Sequence, residues 1–309
     1  MENTMIESLN KALIEIDDNM PEVEILENEK MSGHCSFKIG GPVKGYIAPK
    51  NIWDMSKVFY YLHMNNIYPF MLGKGTNILI PDEGLDICVV STENLQDIRM
   101  GEEENTIYAE AGVSLARLAQ FAQQNGLAGL EFASGIPGSV GGGTLMNAGA
   151  YGSEMKDIVV SAEYIDENFE IKTINAEDMD LSYRHSIFSE TKQVITSVEM
   201  KLNKGSSDDI KTAMNECMNK RSSKQPLEYP SAGSTFKRPE GSYASLLIDQ
   251  CGLKGMTVGG AMVSEKHSGF VINKGYATCA DVIELCEKVK NIVQEKTGYV
   301  LELEPVILK

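Results

Sequence analysis

Residues 134–152 read Ser-Gly-Ile-Pro-Gly-Ser-Val-Gly-Gly-Gly-Thr-Leu-Met-Asn-Ala-Gly-Ala-Tyr-Gly, and this stretch decides the fold prediction. Seven of its residues are glycines. Because glycine loses the most conformational freedom on folding and packs no side chain, such a density requires a physical reason. One reason is that main-chain N–H groups approach an anion closely where no Cβ intervenes.

A second loop of the same character reads Gly73-Lys74-Gly75-Thr76-Asn77 and follows the apolar segment 68–72. Two such loops suit a diphosphate better than a single phosphate, so together they predict a diphosphate site. The alternative, from these residues alone, is a pair of tight turns in a strand-rich protein. Neither loop fits the G-x-G-x-x-G fingerprint of doubly wound folds or the G-x-x-x-x-G-K-[ST] phosphate-binding loop.

Composition excludes several classes of protein. The 309-residue chain is 42% hydrophobic and 23% charged, which is ordinary for a globular protein of two or three packed units. A net charge of −16 argues against nucleic-acid or anionic-membrane binding, and no apolar run is long enough for a membrane span. The acidic residues 1–20 do not resemble a secretory signal. Six scattered cysteines without a C-x-x-C pair indicate no metal site and reduced thiols, so we expect a cytoplasmic protein.

The charge is uneven along the chain. Residues 217–270 carry seven basic and four acidic side chains, a local excess of three positive charges in an acidic protein. This patch predicts a site for a small anionic ligand. The alternative is a chance distribution of solvated charges.

Hydrophobic periodicity, caps and turn residues predict a mixture of helices and strands. The predicted helices are 52–64, a helix capped by Ser114 and ending at 124, 207–220, 244–250, and 280–296 with Gly298 as its stop. The predicted strands are 45–48, 68–72, 78–80, 87–91, 106–109, 158–165, 169–174, 194–202 and 299–308. Residues 203–207 read as a linker, and we place a domain boundary there.

Further segments combine with the glycine loops to resemble one known family. They are Ser-Phe-Lys-Ile-Gly-Gly-Pro at 36–42, Tyr183-Arg184, Lys-Gln-Pro at 224–226, Ser-Ala-Gly-Ser-Thr-Phe-Lys at 231–237 and Leu-Glu-Pro at 303–305. In this order, from about Met31 to the C-terminus, the chain resembles the UDP-N-acetylenolpyruvoylglucosamine reductases, in their shorter class. One departure is His34-Cys35-Ser36, where the family has a threonine-rich lead-in.

The resemblance implies a particular α+β architecture. It consists of a two-subdomain FAD-binding module of the vanillyl-alcohol-oxidase/PCMH type and a C-terminal α+β substrate-binding domain. We expect residues 1–84 and 85–205 to form the two FAD-binding subdomains. Residues 206–309 would then form the substrate-binding domain, with a C-terminal strand that returns to the flavin site.

The resemblance also implies binding residues. FAD would be held noncovalently, with its pyrophosphate between the glycine loops, by Gly73, Lys74, Gly75, Thr76, Asn77, Gly135, Ile136, Pro137, Gly138, Ser139, Gly141, Gly142, Asn147, Gly149 and Ala150. The UDP-sugar substrate would be bound by Tyr183, Lys224, Lys254 and Asn273. No metal, nucleic acid or membrane partner is expected, and the oligomeric state is not predicted.

The implied reaction belongs to peptidoglycan precursor synthesis. NADPH would reduce the flavin, and the enolpyruvyl ether of UDP-N-acetylglucosamine would then accept hydride at its terminal carbon, giving UDP-N-acetylmuramate. Negative charge builds at the carbon that bears the carboxylate, so the site needs an electrophile and an acid. By resemblance, Arg184 and Glu304 stabilise this charge and Ser234 donates the proton. Glu304 could stabilise an anion only when it is protonated or shares a proton.

Two rival functions remain at this point. One is a flavin oxidase of the same wider fold, although neither glycine loop contains the His or Cys to which such oxidases often attach FAD. The other is a noncatalytic carrier of a nucleotide-sugar or flavin. A carrier would not need Arg184, Ser234 and Glu304 together.

Overall fold

A computed structural model describes residues 2–191 and 193–309; Met1 and Lys192 lie outside the described residues. The chain divides into two compact units. Unit 1 comprises Met1–Glu27, Gly45–Lys74 and Ile87–Asn219. Unit 2 comprises Asn28–Lys44, Gly75–Asp86 and Lys220–Lys309. The division expected from the resemblance, at 1–84, 85–205 and 206–309, has other boundaries and stays a prediction.

The described residues form both helices and strands. The helices are α1 Glu2–Asn19, α2 Ile52–Met64, α3 Leu115–Gln124, α4 Val140–Leu145, α5 Ser207–Lys224, α6 Ala244–Gln250 and α7 Cys279–Thr297. The strands are β1 Ile25–Lys30, β2 Pro42–Ile47, β3 Phe70–Leu72, β4 Ile78–Leu79, β5 Leu85–Ser91, β6 Ile98–Met100, β7 Thr106–Glu110, β8 Leu127–Ala128, β9 Gly149–Ala150, β10 Ser153–Glu154, β11 Val159–Ile165, β12 Ile171–Asn175, β13 Val194–Lys201, β14 Asn203–Lys204, β15 Thr257–Val258, β16 Ala261–Val263, β17 Val271–Asn273 and β18 Val306–Ile307.

One layer of unit 1 packs α1 and α2 together in an apolar core. A four-stranded sheet has the order β1-β2-β5-β3, in which β3 runs parallel to β5. α1 contributes residues at helical spacing, such as Leu9, Leu13 and Ile16, to a core that also contains Val58 of α2 and Val90 of β5. α2 begins where the Asn51 side chain accepts a hydrogen bond from the Asp54 N–H, at 2.9 Å.

The second layer of unit 1 is a five-stranded antiparallel sheet of order β12-β11-β13-β7-β6. Its apolar face forms a core with α3 and α4, in which Leu118, Val140 and Val198 are fully buried. The strands predicted at 158–165 and 169–174 are confirmed as β11 and β12, which pair antiparallel as a hairpin with Ala162 opposite Ile174. The α3 cap is confirmed as well, because Ser114 accepts a hydrogen bond from the Arg117 N–H.

Unit 2 contains a small antiparallel sheet of order β15-β16-β17. α7 packs against β15 and β16 and buries an apolar stripe that includes Val282, Val289 and Val293. α7 ends at Gly298, whose φ of +78° is the left-handed conformation that favours glycine at this position. β18 pairs in parallel with β4, so that Val306 lies opposite Ile78.

Two predictions of local structure were wrong. The linker at 203–207 begins with β14, which pairs antiparallel with β8, so this segment is held within unit 1. The strand predicted over 299–308 is reduced to β18 and an isolated bridge between Leu303 and Phe236. Before Pro305, the segment forms main-chain hydrogen bonds with residues 235–237, and after it the segment pairs with β4. Pro305 has no N–H group and separates the two pairings.

Candidate active site

The glycine-rich stretch is only partly an open loop. After a 3₁₀ turn at Glu131–Gly135, the chain enters α4, and Ser139 caps this helix by accepting a hydrogen bond from the Gly142 N–H at 3.3 Å. Gly141 lies in the helix against strand-end residue Ala111, whose Cβ would be 2.8 Å from a Cβ at Gly141. Part of the glycine density therefore serves the close packing of α4, and residues 136–139 form an irregular segment before the helix.

The two glycine loops meet within unit 1. A Cβ on Gly73 would lie 2.6 Å from the Ser139 hydroxyl oxygen. Within residues 2–191 and 193–309, the main-chain N–H groups of Lys74, Gly138 and Ser139 donate to no acceptor. N–H groups without an internal partner, where two glycine loops meet, fit the phosphate oxygens of a dinucleotide such as FAD.

Gly75 is needed for its backbone conformation and for its close packing within unit 2. Its φ is +59°, and a Cβ would lie 2.1 Å from the His34 carbonyl oxygen. Ser36 continues this contact, because its N–H donates to the Gly75 carbonyl at 3.0 Å. The segment that departs from the family pattern, 34–36, therefore supports the second half of the glycine loop at 73–77.

Tyr183 and Arg184 occupy the tip of a tight turn in unit 1. Ser182 and His185 exchange main-chain hydrogen bonds at 3.2 Å in both directions. Arg184 has a φ of +57°, which is uncommon for a residue with a side chain, and its guanidinium lies 5.2 Å from the centroid of the Tyr183 ring. A strained backbone at an arginine is typical of a functional site.

Ser234 and Glu304 belong to neighbouring segments of unit 2. The Glu304 N–H donates to the carbonyl of Thr235, the residue after Ser234, at 3.0 Å. Thr235 is in turn fixed by its own N–H, which donates to the Gly269 carbonyl, and by its hydroxyl, which accepts from the Val271 N–H. The structure thus brings two of the three predicted catalytic residues into adjacent, hydrogen-bonded segments.

Lys224 and Lys254 both lie close enough to His267 to lower its pKa. Burial of the ring is the larger cause of this lowering, and the two positive charges add to it. The Gly269 N–H donates to Nδ1 of His267 at 3.2 Å, so the proton of the neutral ring is on Nε2, which is a donor. Sequence reasoning did not select His267 as a site residue, although it stands in the segment that carries Lys254.

The cationic patch is partly neutralised by neighbouring acids. Lys254 pairs with Asp249 at 3.0 Å, Lys237 with Glu302 at 3.5 Å and Lys266 with Glu228 at 3.7 Å; these are exposed pairs of modest energy. A substrate anion at Lys254 would therefore compete with Asp249. The second positive charge near His267, on Lys224, favours binding of an anion there.

Two predicted ligand-binding asparagines use their side chains within the protein. The Asn273 amide donates to the Phe37 carbonyl and accepts from the N–H groups of Gly275 and Ala277. The Asn147 amide is likewise occupied, by Ser182 and by two residues of the β10 region. Contacts from these side chains to substrate or cofactor stay predictions, and the geometry favours a structural use.

The remaining expectations concern metals, thiols and membranes. No group of three potential metal ligands occurs among the residues that the structure describes. None of the six cysteines forms a disulfide, and burial raises the pKa of the Cys88 thiol to about 12, which makes it unreactive. None of the described helices has the length and apolar character needed to span a bilayer.

The lowered pKa of His267 predicts a pH-dependent contribution to stability. Because the unfolded chain binds the proton more readily, this contribution is complete above about pH 6.5, the ordinary pKa of His, and is lost as the pH falls below it. We expect the melting temperature of the wild type to fall more between pH 7 and pH 5 than that of His267→Gln. Melting curves of the two proteins that shift in parallel would contradict this expectation.

Adjacent glycines of α4 provide a matched test of close packing. Gly141→Ala should destabilise the apoprotein by about 1–3 kcal/mol, because the new methyl would overlap Ala111. Gly142→Ala should be neutral or stabilising by up to about 1 kcal/mol, because its Cβ would meet only the Ser139 hydroxyl, at 3.4 Å. Urea unfolding of the two apoproteins measures the difference, and equal losses would show that α4 tolerates the overlap.

Comparison with known proteins places these features in a family. Residues 43–175 match the model of an FAD binding domain, and residues 225–308 match that of the UDP-N-acetylenolpyruvoylglucosamine reductase C-terminal domain. The reductase of that name from Caldanaerobacter subterraneus subsp. tengcongensis is 46% identical over 93% of this chain and 94% of its own. The one from Clostridium novyi is 45% identical over 97% of each chain.

A solved structure agrees in fold. The crystal structure of UDP-N-acetylenolpyruvylglucosamine reductase from Thermus caldophilus aligns with a TM-score of 0.79 and 31% identity, over 93% of this chain and 99% of the other. The predicted α+β architecture with an FAD-binding module is therefore confirmed. The chain is an FAD-binding oxidoreductase, and it belongs to the UDP-N-acetylenolpyruvoylglucosamine reductase family.

Proposed function

We propose that this protein uses NADPH to reduce enolpyruvyl-UDP-N-acetylglucosamine to UDP-N-acetylmuramate. The relatives named above carry the name of this reductase, and their similarity extends over nearly the whole chain. The observation that carries the residue-level proposal is the hydrogen bond from the Glu304 N–H to the Thr235 carbonyl. This bond holds a carboxyl-bearing residue beside the turn that carries the Ser234 hydroxyl.

FAD, when bound, supplies the redox chemistry: it accepts a hydride from NADPH and passes it to the terminal carbon of the enolpyruvyl group. The protein groups suited to hold its diphosphate are the N–H groups of Lys74, Gly138 and Ser139, which lack acceptors among the described residues. Gly73 allows the close approach of the two loops, since a side chain there would overlap the Ser139 hydroxyl.

The substrate brings a diphosphate and a carboxylate, both of which need positive charge or hydrogen-bond donors. Lys224, Lys254 and the Nε2–H group of His267 form one such group of donors in unit 2. We assign this group to an anionic part of the UDP-sugar, because two cations and an N–H donor beside one another suit a negatively charged group.

Arg184, Glu304 and Ser234 would act on the carbon that bears the carboxylate. Hydride addition to the neighbouring carbon leaves an electron pair that spreads into the carboxylate as an enolate-like anion. Arg184 and a protonated Glu304 would stabilise this anion, and the Ser234 hydroxyl would give its proton to the carbon to complete the reduction. Solvent would then restore the proton on Ser234.

Anaerobic titration of the purified protein tests this proposal. We expect a yellow protein that NADPH bleaches and that the enolpyruvyl UDP-sugar recolours in a stoichiometric amount. Recolouring by oxygen at a comparable rate would indicate an oxidase. A protein that binds the sugar without recolouring would indicate a carrier.

A further inference from the structure

Asn147 stands at the end of the glycine-rich stretch, where its side chain makes three internal hydrogen bonds. The residue is 1% exposed. Its Nδ2 group donates to Glu154 Oε2 at 3.0 Å and to the Ser182 carbonyl at 3.1 Å. Its Oδ1 accepts from the Lys156 N–H at 2.9 Å. Both N–H groups of the amide are thus used, so the side chain has no donor left for a cofactor.

The Ser182 carbonyl belongs to the turn that presents Arg184. Ser182 exchanges main-chain hydrogen bonds with His185, and Arg184 lies between them. On the far side of the turn, the Ser186 hydroxyl donates to the Leu145 carbonyl at 2.8 Å, and Ser186 is fully buried. Both ends of the arginine turn are therefore fastened to the glycine-rich stretch, at positions 145 and 147.

The backbone at both ends of this connection is strained. Asn147 has a φ of +41° and Arg184 a φ of +57°, and such conformations persist only where surrounding contacts enforce them. Asparagine tolerates the left-handed region better than most residues. Asparagine at position 147 can therefore adopt this backbone conformation while its amide donates a hydrogen bond to the Ser182 carbonyl.

We propose that Asn147 is a positioning residue for Arg184: it fixes the turn that aims the guanidinium at the anion formed on the substrate. This inference rests on the proposed function and adds a role that differs from direct cofactor contact. Through Asn147, the stretch suited to the FAD diphosphate and the stabilising arginine share one hydrogen-bonded support. A small displacement of this support moves the guanidinium and leaves the flavin chemistry with NADPH intact.

Asn147→Asp tests the proposal, because it keeps the size of the side chain and removes both donated hydrogen bonds. The new carboxylate would also face Glu154 and the Ser182 carbonyl. We expect flavin reoxidation by the enolpyruvyl sugar to slow by about 10²-fold, the loss that a misplacement of about 1 Å can cause. We expect the rate of flavin reduction by NADPH and the Kd of the apoprotein for FAD to change by less than about threefold. Such a change is well below the factor of ten that corresponds to about 1.4 kcal/mol.

Asn65→Asp is the matched control. Asn65 is 6% exposed, and its Nδ2 group likewise donates to a glutamate, Glu15, at 2.7 Å and to a carbonyl, that of Tyr61, at 3.0 Å. It joins α1 and α2 in unit 1. This variant should lose thermal stability to a similar degree and keep both half-reactions.

A double-mutant cycle with Arg184→Ala separates positioning from a general structural role. If Asn147 acts through Arg184, Asn147→Asp should slow reoxidation by less than about threefold in the Arg184→Ala background, because the two losses then share one cause. Additive losses, or equal slowing of both half-reactions, would overturn the proposal. Should Asn147→Asp fail to fold, Ser186→Ala tests the other end of the turn by the same cycle. Failure of the wild type to be recoloured would instead refute the proposed function.

Discussion

Ser234→Ala is expected to leave flavin reduction by NADPH nearly unchanged and to slow reoxidation by the enolpyruvyl sugar by about 10³–10⁴-fold, toward the upper end of the effect of a general acid. The reason is that hydride transfer to the flavin involves no protonation of carbon, whereas the substrate anion needs a proton at one defined position. The turn itself should survive, because Thr235 is held by main-chain and hydroxyl bonds that do not involve Ser234.

Anaerobic stopped-flow measurement of each half-reaction decides the matter. Ser234→Cys serves as the conservative variant, since a thiol of similar size keeps a transferable proton, and it should recover part of the lost rate. Equal losses in both half-reactions would remove Ser234 from the role of acid. Retention of full reoxidation by Ser234→Ala would have the same consequence.

Local signals predicted five of the seven helices among the described residues, and the helix α4 within the glycine-rich stretch was not predicted. The periodicity and caps gave the bounds of α2 and α6 and the glycine stop of α7, all as observed. α1 was not predicted, although Leu9, Ala12, Leu13 and Ile16 stand at helical spacing and are buried. Short strands were the weakest point, because β15, β16 and β17 have only two or three residues each and show no period.

The terminal segment shows why pairing is harder to predict than periodicity. Its sequence, apolar and polar in alternation, is that of a single strand, but the strand has no single partner. Phe236 pairs with Leu303 and β4 pairs with β18, and Pro305 separates the two pairings. Strand pairing depends on residues that are far apart in the sequence, so it cannot be predicted from a short stretch of sequence.

The residue types of the candidate site could be predicted from the sequence. Whether each side chain contacts a ligand or another part of the protein could not. Glycine density indicated a main-chain anion site, but Gly141 lies within α4 and is packed closely against Ala111. Asn147 and Asn273 are equally suited in chemistry to bind a ligand or a carbonyl of the chain. Only the positions of Ser182 and Phe37 show that both amides are already occupied.

Glu304→Gln is expected to slow reoxidation by less than the about 10²–10³-fold that complete loss of one donor to a developing anion costs, because the amide keeps an N–H group but is a weaker acid than a carboxyl. It should also remove the alkaline limb of the pH profile. If protonated Glu304 stabilises the anion, the wild-type rate falls at high pH as the carboxyl loses its proton, and an amide has no such proton to lose. The main-chain position should be kept, because Glu304 is anchored by its N–H to Thr235 and by its carbonyl, which accepts from Asn77.

Glu302→Gln provides the control for this prediction in the same segment. Glu302 is exposed, and its carboxylate pairs with Lys237, so its replacement should change neither half-reaction and should leave the pH profile of the wild type. A profile that Glu304→Gln leaves unchanged would show that Glu304 does not titrate in the reaction. In that case the anion would depend on Arg184, and the adjacency of Glu304 to the Ser234 turn would serve to hold the serine in place.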